Sequence, residues 1–429
     1  MKKLLLLPVL AVTCLLHAAD TANWQPVYDE SKVPAYTLPD PLTGKNGKKI
    51  TTVQEWEKFR RPEILADFRK YLYGQDLPMA EKVEYQLLSE KRDALDGTAI
   101  RREVRLIFTG KNRRKFSFDI LLYLPRAAKK PVPFFAGLNF KGNHTLEADK
   151  ELHLTGLKIT KTPDIAAAES DRGKRIYRFP LKTIISRGYA IATACYHDIF
   201  PDRKDGWQES VYTLFYTPEE LKNPPHERYS AIGAWSWGIR RITDHLVTLP
   251  EIDASRGAVF GHSRLGKTSL WTGAVDQRFK LICVNDAGSG GTALTRRLYG
   301  ETLYSMCFIR RAPGRWWFVS AIKEYADGKV HLLPFDQHLL VALAAPRSIA
   351  IHSATEDLWA DPKGEYLSAY HAGKVFSLYG KTPLKSAVQP PPETPVGTDI
   401  SYLLRTGKHD LLRSDWLHYL DMADRIFKP

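Results

Sequence analysis

Apolar and polar residues alternate along the chain in a pattern typical of strands that are each followed by a helix. Short apolar runs predict six strands, at Val132–Phe140, Tyr189–Tyr196, Arg256–Phe260, Leu281–Asn285, Arg347–Ser353 and Tyr402–Thr406. Apolar residues at helical spacing predict helices at Ser230–Leu249, Leu265–Val275, Phe335–Ala344 and Ser414–Phe427. Since such alternation forms βαβ units, the sequence predicts an α/β fold with a mostly parallel central sheet and helices on both faces, a three-layer sandwich.

The part of the chain before these units has a different pattern. Helical spacing predicts a helix over Thr52–Tyr73, and alternating residues predict antiparallel edge strands at Ala99–Thr109 and Lys115–Leu124. We therefore expect residues 20–130 to form an N-terminal elaboration of the domain. Stretches rich in charged and aromatic residues predict insertions near 201–229 and 296–331, and such insertions usually lie above the carboxyl ends of the strands, where ligands bind.

The N-terminus has the layout of a secretory signal peptide. Two lysines precede an apolar run from Leu4 to Leu16, and small residues follow at positions 18 and 19. The run is too short to span a bilayer, and no later stretch is apolar enough to do so. We therefore expect residues 1–19 to be removed from a secreted or periplasmic bacterial protein without a membrane partner, leaving residues 20–429 as a single domain.

Composition and charge narrow the class of partner. The formal net charge of the 429 residues is +14, which favours anionic partners such as an acidic polysaccharide, a nucleic acid or a cell envelope. No nucleic-acid motif is present, so an acidic carbohydrate fits an exported protein better. Without the signal peptide, Cys195, Cys283 and Cys307 remain, which can form at most one disulfide, and no Cys/His spacing resembles a zinc site.

A glycine-containing turn between a predicted strand and a predicted helix carries a serine, Ser263, within Gly261-His262-Ser263-Arg264-Leu265-Gly266-Lys267. A sharp turn of this kind places the hydroxyl at the positive end of a helix, which favours the anion formed during acyl transfer. The second glycine of the usual G-x-S-x-G motif is one position late here, at Gly266, so an ordinary turn with a capping serine is the alternative interpretation. The strand–turn–helix context favours Ser263 as a nucleophile.

The other members of a catalytic triad are expected further along the chain, in the order serine, acid, histidine. His409 lies in the loop after the last predicted strand and is therefore the candidate base. Two aspartates are candidates for the acid, because Asp357 and Asp286 follow two successive predicted strands. Either could orient the imidazole and stabilise the imidazolium, and either could instead cap a helix.

Several motifs together resemble one enzyme family. In the order typical of the glucuronoyl esterases, carbohydrate esterase family 15, the chain carries Leu138–His144, Gly261–Lys267, Asn285–Gly291, Leu298–Glu301, Pro334–His338, Asp357–Pro362 and Gly407–Asp410. The resemblance runs from about Val132 to the C-terminus. It implies an α/β-hydrolase fold, no metal or cofactor, and a substrate in which glucuronic or 4-O-methyl-glucuronic acid on xylan is esterified to a lignin alcohol. We also expect a monomer, although no sequence signal sets the oligomeric state.

The resemblance implies a two-step acyl transfer. Ser263 would attack the ester carbonyl, His409 would take the serine proton, and water would then release the glucuronic acid. The glutamate acid of the family falls at Asp286, one methylene shorter in this chain. Asp357 therefore stays open as an alternate acid or a partner.

Four further residues match positions that contact the substrate in the family. Arg264 matches the arginine that assists the oxyanion, while Lys267, Glu301 and Trp359 match positions that hold the sugar hydroxyls and ring. Two cations in the first turn of a helix lie next to the positive end of its dipole, which is unfavourable unless they serve a ligand. Packing of Trp359 and simple solvation of Glu301 are the alternatives.

Two other functions remain as alternatives. The first is an esterase that acts on other xylan esters, acetyl or feruloyl. The second is a non-catalytic carbohydrate-binding protein on an esterase scaffold, although a degenerate site has no reason to retain serine, histidine and aspartate together.

Overall fold

The computed structural model describes residues 24–309 and 314–428. The predicted signal peptide, residues 1–19, lies outside this part of the chain. Within the described ranges, no helix has both the length and the apolar character needed to cross a membrane.

Nine strands of the described chain form a single sheet. They are β1 (Lys82–Asp93), β2 (Ala99–Thr109), β3 (Lys115–Pro125), β4 (Val132–Asn139), β5 (Ala190–Cys195), β6 (Ile252–His262), β7 (Phe279–Asn285), β8 (Ser348–Ala354) and β9 (Ile400–Arg405). Their order is β1-β2-β3-β5-β4-β6-β7-β8-β9. The six strands from β4 to β9 run parallel, whereas β1, β2 and β3 pair antiparallel at one edge and β3 joins β5 antiparallel. The predicted parallel sheet and antiparallel edge strands are confirmed.

Seven helices of the described chain are numbered here. They are α1 (Arg61–Phe68), α2 (Leu181–Ser186), α3 (Ala231–Leu246), α4 (Arg264–Val275), α5 (Gln337–Ala342), α6 (Pro362–Leu378) and α7 (Arg413–Phe427). Helical turns at Val53–Glu55, Trp56–Arg60 and Arg69–Tyr73 extend α1 at both ends, so the helix predicted over Thr52–Tyr73 is confirmed. Further helical segments, of four to six residues, occur at Ala94–Gly97, Ile165–Ser170, Tyr196–Ile199, Leu303–Phe308, Gly314–Trp317 and Lys323–Ala326.

The hydrophobic core lies in two layers, one on each face of the sheet. Successive residues of β6 show the division, because Val259 packs with α3 and α4 whereas Ala258 and Phe260 pack with α2 and α7. Side chains that alternate across a strand produce this arrangement. The fold is therefore the predicted three-layer sandwich, and it brings the carboxyl ends of the six parallel strands to one edge.

The sequence did not predict β1 and α6. Every residue of β1 is exposed or half-buried, so the strand lacks the buried apolar face that would mark it. In α6 the buried positions include Gly364, Glu365 and Ser368 together with apolar residues, so no apolar stripe at helical spacing is present.

Candidate active site

Ser263 occupies a strained turn between β6 and α4. Its φ is 57° and its ψ is −130°, a conformation that costs a non-glycine residue energy and is concentrated at functional sites. The Ser263 N–H donates to the Asn285 carbonyl at 2.8 Å, which ties the turn to the end of β7. A Cβ on Gly261 would lie 2.0 Å from the Leu265 carbonyl oxygen, and one on Gly266 would lie 3.0 Å from that of Asn285. The displaced second glycine therefore keeps a role in close helix–strand packing.

His409 is hydrogen-bonded to Asp357. The distance between His409 Nδ1 and Asp357 Oδ2 is 2.5 Å, and this contact leaves Nε2 as the ring nitrogen available for other chemistry. Asp357 is buried, whereas 40% of the His409 side chain is exposed. A carboxylate on Nδ1 fixes the tautomer that a base acting through Nε2 requires.

Asp286 lies behind this pair and is buried. Its Oδ2 is 3.4 Å from Arg405 Nη2, and its Oδ1 has no hydrogen-bond partner within the described ranges. Burial, and then the nearby carboxylates of Glu365 and Asp357, raise the pKa of Asp286 well above its usual range. The two aspartates that the sequence left as alternatives thus differ in geometry, because the contact with the imidazole is made by Asp357.

The same three residues could hold a metal ion. Asp286, Asp357 and His409 each offer one ligand atom, and these atoms all lie within 4.8 Å of one another. The same arrangement of two carboxylates beside one imidazole also fits a role without a metal, in which the carboxylates orient a histidine base and stabilise its charged form.

Arg405, at the end of β9, fixes the loop that carries His409. Its guanidinium donates to the carbonyls of Lys408 at 2.9 Å, Asp410 at 2.8 Å and Thr406 at 3.3 Å. The sequence analysis missed this residue. A buried arginine that ends an otherwise apolar strand was the signal available, since an arginine is almost never fully buried unless it is paired.

Glu365, on the unpredicted helix α6, organises the loop after β7. Its Oε1 accepts hydrogen bonds from the N–H groups of Ala287 at 2.8 Å and Gly288 at 3.0 Å and from the Thr292 hydroxyl, and its Oε2 accepts from the Ser353 hydroxyl at 2.6 Å. Burial raises its pKa to about 7. The loop that begins at Asp286 is therefore held by a second buried carboxyl group.

Arg264, directly after Ser263, is held by an aspartate from the predicted insertion near 201–229. Its Nη1 lies 2.5 Å from Asp202 Oδ2, and its guanidinium carbon lies 4.6 Å from the centre of the Trp317 ring. The indole N–H groups of Trp316 and Trp317 both donate to Asp202 Oδ1 at 2.7 Å. Both predicted insertions thus contribute to holding the guanidinium beside the serine, and Asp202 is another residue that the sequence analysis missed.

Lys267 and Glu301 form an ion pair at the base of the same pocket. Lys267 Nζ lies 2.8 Å from Glu301 Oε2 and donates to the Ala287 carbonyl at 2.5 Å. The Glu301 N–H donates to the Trp359 carbonyl at 2.7 Å, and the Trp359 side chain is 38% exposed. Trp359 is therefore neither a core residue nor fully solvated, and its ring remains open to a ligand.

His262 precedes the serine but is not available as a base. It is buried, its Nδ1 is hydrogen-bonded to the Asn285 side-chain amide, and its ring centre lies 4.5 Å from that of His409. Burial, and then the charge of His409, lower the pKa of His262 well below its usual range. Its neutral ring serves as packing beneath His409.

All eight residues selected from the sequence line one pocket of about 460 Å³. They are Ser263, Arg264, Lys267, Asp286, Glu301, Asp357, Trp359 and His409. Such a volume lies in the range of small-molecule sites, and convergent charged groups in a pocket are typical of a catalytic centre. The arrangement is able to perform nucleophilic attack, proton transfer and oxyanion stabilisation at one point.

Comparisons with known proteins identify relatives over almost the whole chain. A family model described as glucuronyl esterase of fungi matches residues 181–380. The chain is 40% identical over 438 aligned residues to carbohydrate esterase MZ0003 from an unknown prokaryotic organism, covering 99% of this chain and 98% of the relative.

Two solved structures are similar along most of the chain. The glucuronoyl esterase from Solibacter usitatus aligns with a TM-score of 0.86 and 38% identity, covering 93% of this chain and all of that one (100%). A CE15 esterase from a marine bacterial metagenome, described as promiscuous, aligns with a TM-score of 0.82 and 40% identity, covering 93% of this chain and 99% of that one.

Proposed function

Because the chain belongs to the glucuronoyl esterases of carbohydrate esterase family 15, a group of carboxylic ester hydrolases, we propose that it cleaves esters of glucuronic or 4-O-methyl-glucuronic acid. On this proposal the acid is a side group of xylan and the alcohol belongs to lignin. The observation that carries the proposal is the single pocket in which Ser263, His409 and the three residues expected to hold the sugar meet.

The proposed reaction starts with attack of Ser263 Oγ on the ester carbonyl. His409 Nε2 takes the hydroxyl proton and then passes it to the departing alcohol oxygen. A water molecule, deprotonated by the same imidazole, cleaves the acyl-enzyme and releases the glucuronic acid. The hydrogen bond between His409 Nδ1 and Asp357 supports this role for the histidine.

Arg264 is proposed to stabilise the oxyanion in both steps. Arg264 is the first residue of α4, so its backbone N–H lies directly after the serine at the positive end of the helix. Since the guanidinium is held by Asp202 and Trp317, little reorganisation is needed when charge develops on the carbonyl oxygen.

Asp357 is proposed as the principal acid of the triad and Asp286 as its supporting carboxyl group. The direct contact of Asp357 with the imidazole supports the first assignment. The raised pKa of Asp286 supports the second, because a protonated carboxyl group stabilises an imidazolium less than a carboxylate does. On this proposal the sugar contacts are made by Lys267, Glu301 and Trp359.

The decisive experiment compares wild type with Ser263→Ala on methyl and benzyl glucuronate. We expect kcat to fall by ~10⁶-fold, with affinity for glucuronic acid, measured by calorimetry, unchanged. Ser255→Ala is the matched control, since Ser255 is an exposed serine on the same strand. Hydrolysis of either ester by Ser263→Ala at more than a few per cent of the wild-type rate would rule out the mechanism.

A broader ester specificity is the second candidate function, because one solved relative is described as promiscuous. A panel of acetyl and feruloyl xylan esters beside the glucuronate esters separates the two candidates. The proposed substrate requires kcat/KM for the glucuronate esters to exceed the others by at least tenfold.

Export, from the predicted signal peptide, and the expected monomeric state are also proposed. N-terminal sequencing of the protein secreted by an expression host tests the first, with cleavage after position 19 as the expected result. Size-exclusion chromatography with light scattering tests the second.

A further inference from the structure

A second cavity also borders Ser263. Its volume is about 270 Å³, and it shares Ser263, Arg264 and His409 with the pocket already described. An ester has its acid and alcohol parts on opposite sides of the reacting carbonyl carbon. A nucleophile between two cavities can therefore place one part in each, and the pocket that holds Lys267 is assigned to the acid part by the proposed function.

The charged side chains that line the second cavity are all cationic. Its lining includes four cationic side chains and, among the described residues, no carboxylate; the cations are Lys141, Arg175, Arg178 and Arg264. Arg178 is paired with Asp410 at 2.6 Å, and Arg264 is paired with Asp202 at 2.5 Å. No ion pair within 4.0 Å involves Lys141 or Arg175 in the part of the chain that the structure describes; the nearby Asp171 carboxylate is paired with Lys174 at 2.9 Å.

Two aromatic rings form part of the wall. Phe140 and Phe179 line the cavity, and the Arg178 guanidinium carbon lies 5.9 Å from the centre of the Phe140 ring. The Arg175 backbone is fixed by a 2.8 Å hydrogen bond from its N–H to the Thr145 carbonyl. Aromatic walls beside fixed cations favour a flat ligand that carries negative charge.

We propose that this second cavity is the subsite for the alcohol part of the ester and that it selects aromatic alcohols carrying a carboxylate. The inference rests on the proposed function, since it assigns the opposite pocket to the uronate. Lys141 and Arg175 determine the selectivity through their charge, whereas Arg178 is also tied to the loop that carries His409.

The test uses three glucuronate esters whose alcohols differ in charge: benzyl, 4-carboxybenzyl and 4-(aminomethyl)benzyl. We expect kcat/KM of the wild type to be highest for the carboxylate and lowest for the ammonium, with ~3- to 10-fold between neighbours at 20 mM salt. At 0.5 M salt this spread should shrink to less than about twofold.

The variant Lys141→Gln/Arg175→Gln should abolish the preference among the three esters. Lys129→Gln is the matched control, because this exposed lysine precedes the amino end of β4, whereas the site lies at the carboxyl ends of the parallel strands. Dividing each ester's kcat/KM by that of benzyl glucuronate removes effects common to all three substrates.

Two results would overturn the inference in distinguishable ways. If the wild type hydrolyses all three esters and the double variant keeps the wild-type ratios, the subsite is wrong and the proposed function stands. If the wild type hydrolyses none of the esters, the proposed function itself fails.

Discussion

Replacing Asp357 by asparagine tests which carboxylate supports the base. The substitution keeps the size of the side chain but removes the charge that lies 2.5 Å from His409 Nδ1. For charge centres about 4 Å apart at an effective dielectric constant of about 20, the lost attraction to the imidazolium is about 4 kcal/mol. This energy corresponds to a fall in kcat of about 10³-fold.

The expected fall in kcat is much smaller for Asp286→Asn. Asp286 has a ligand atom within 4.8 Å of that of His409, but its raised pKa lowers the ionised fraction, and Arg405 offsets the charge that remains. We therefore expect kcat to fall less than about tenfold. Both variants are assayed by initial rates on benzyl glucuronate, with Asp421→Asn, a change in an exposed ion pair, as the control.

The order of the two effects decides whether the reasoning is correct. A loss of about 10³-fold in Asp286→Asn with a loss below tenfold in Asp357→Asn would reverse the assignment of the acid. Equal losses would show that the carboxylates act as one unit and that the contact distance does not determine the role.

Three further changes test other parts of the site. Trp359→Ala should raise KM for glucuronate esters by about tenfold through loss of about 1–2 kcal/mol of ring contact, with kcat and Tm nearly unchanged; an unchanged KM would remove the residue from the sugar site. Glu365 has its pKa raised from 4.5 to about 7, so its contribution to stability is full below pH 4.5 and is lost as the pH rises through 7. Urea unfolding should therefore show that the free energy of unfolding of the wild type falls between pH 4.5 and 7.5 by about 3 kcal/mol more than that of Glu365→Gln. An equal fall in the two proteins would contradict this. Arg405→Lys should lower kcat by about 10- to 100-fold with KM within twofold, because the lysine cannot make all the contacts that fix the His409 loop; an unchanged kcat would show that the loop holds itself.

The sequence was sufficient for the architecture and for the position of the strained turn at Ser263 because both leave local signals. Buried parallel strands such as β4 and β7 are continuous apolar runs, and they were found within one or two residues of their bounds. At the turn that carries Ser263, neighbouring carbonyl oxygens lie too close to two backbone positions for a side chain to fit well. The sequence has glycine at both, Gly261 and Gly266.

The acid was not determined because both aspartates follow strands that end at the same edge of the sheet. Which carboxylate reaches the imidazole depends on the path of the loop from β8 to Asp357 and on the backbone of Asp286, whose φ is 45°. Such loop conformations produce no periodic pattern of apolar residues, so the sequence does not predict them. Asp202 and Glu365 were missed for the same reason, since each reaches the site across more than 60 residues of chain.

The surroundings of Asp286, Glu365 and Asp357 differ, and this difference is the reason why Asp357 is proposed as the acid that supports the histidine base. Asp286 and Glu365 are enclosed by protein, and their raised pKa values mean that each holds a proton more readily than a free carboxyl group does. Asp357 is also buried, but it is hydrogen-bonded to the His409 imidazole, which is 40% exposed.

Removing the charge of Asp357 also removes one cause of the raised pKa of Asp286, so Asp286 should ionise more readily in Asp357→Asn than in the wild type. The residual activity of that variant should then rise with pH as Asp286 loses its proton, and Asp286→Asn added to Asp357→Asn should abolish the rise. If both results are obtained, Asp286 is a reserve carboxyl group whose charge is suppressed while Asp357 is present.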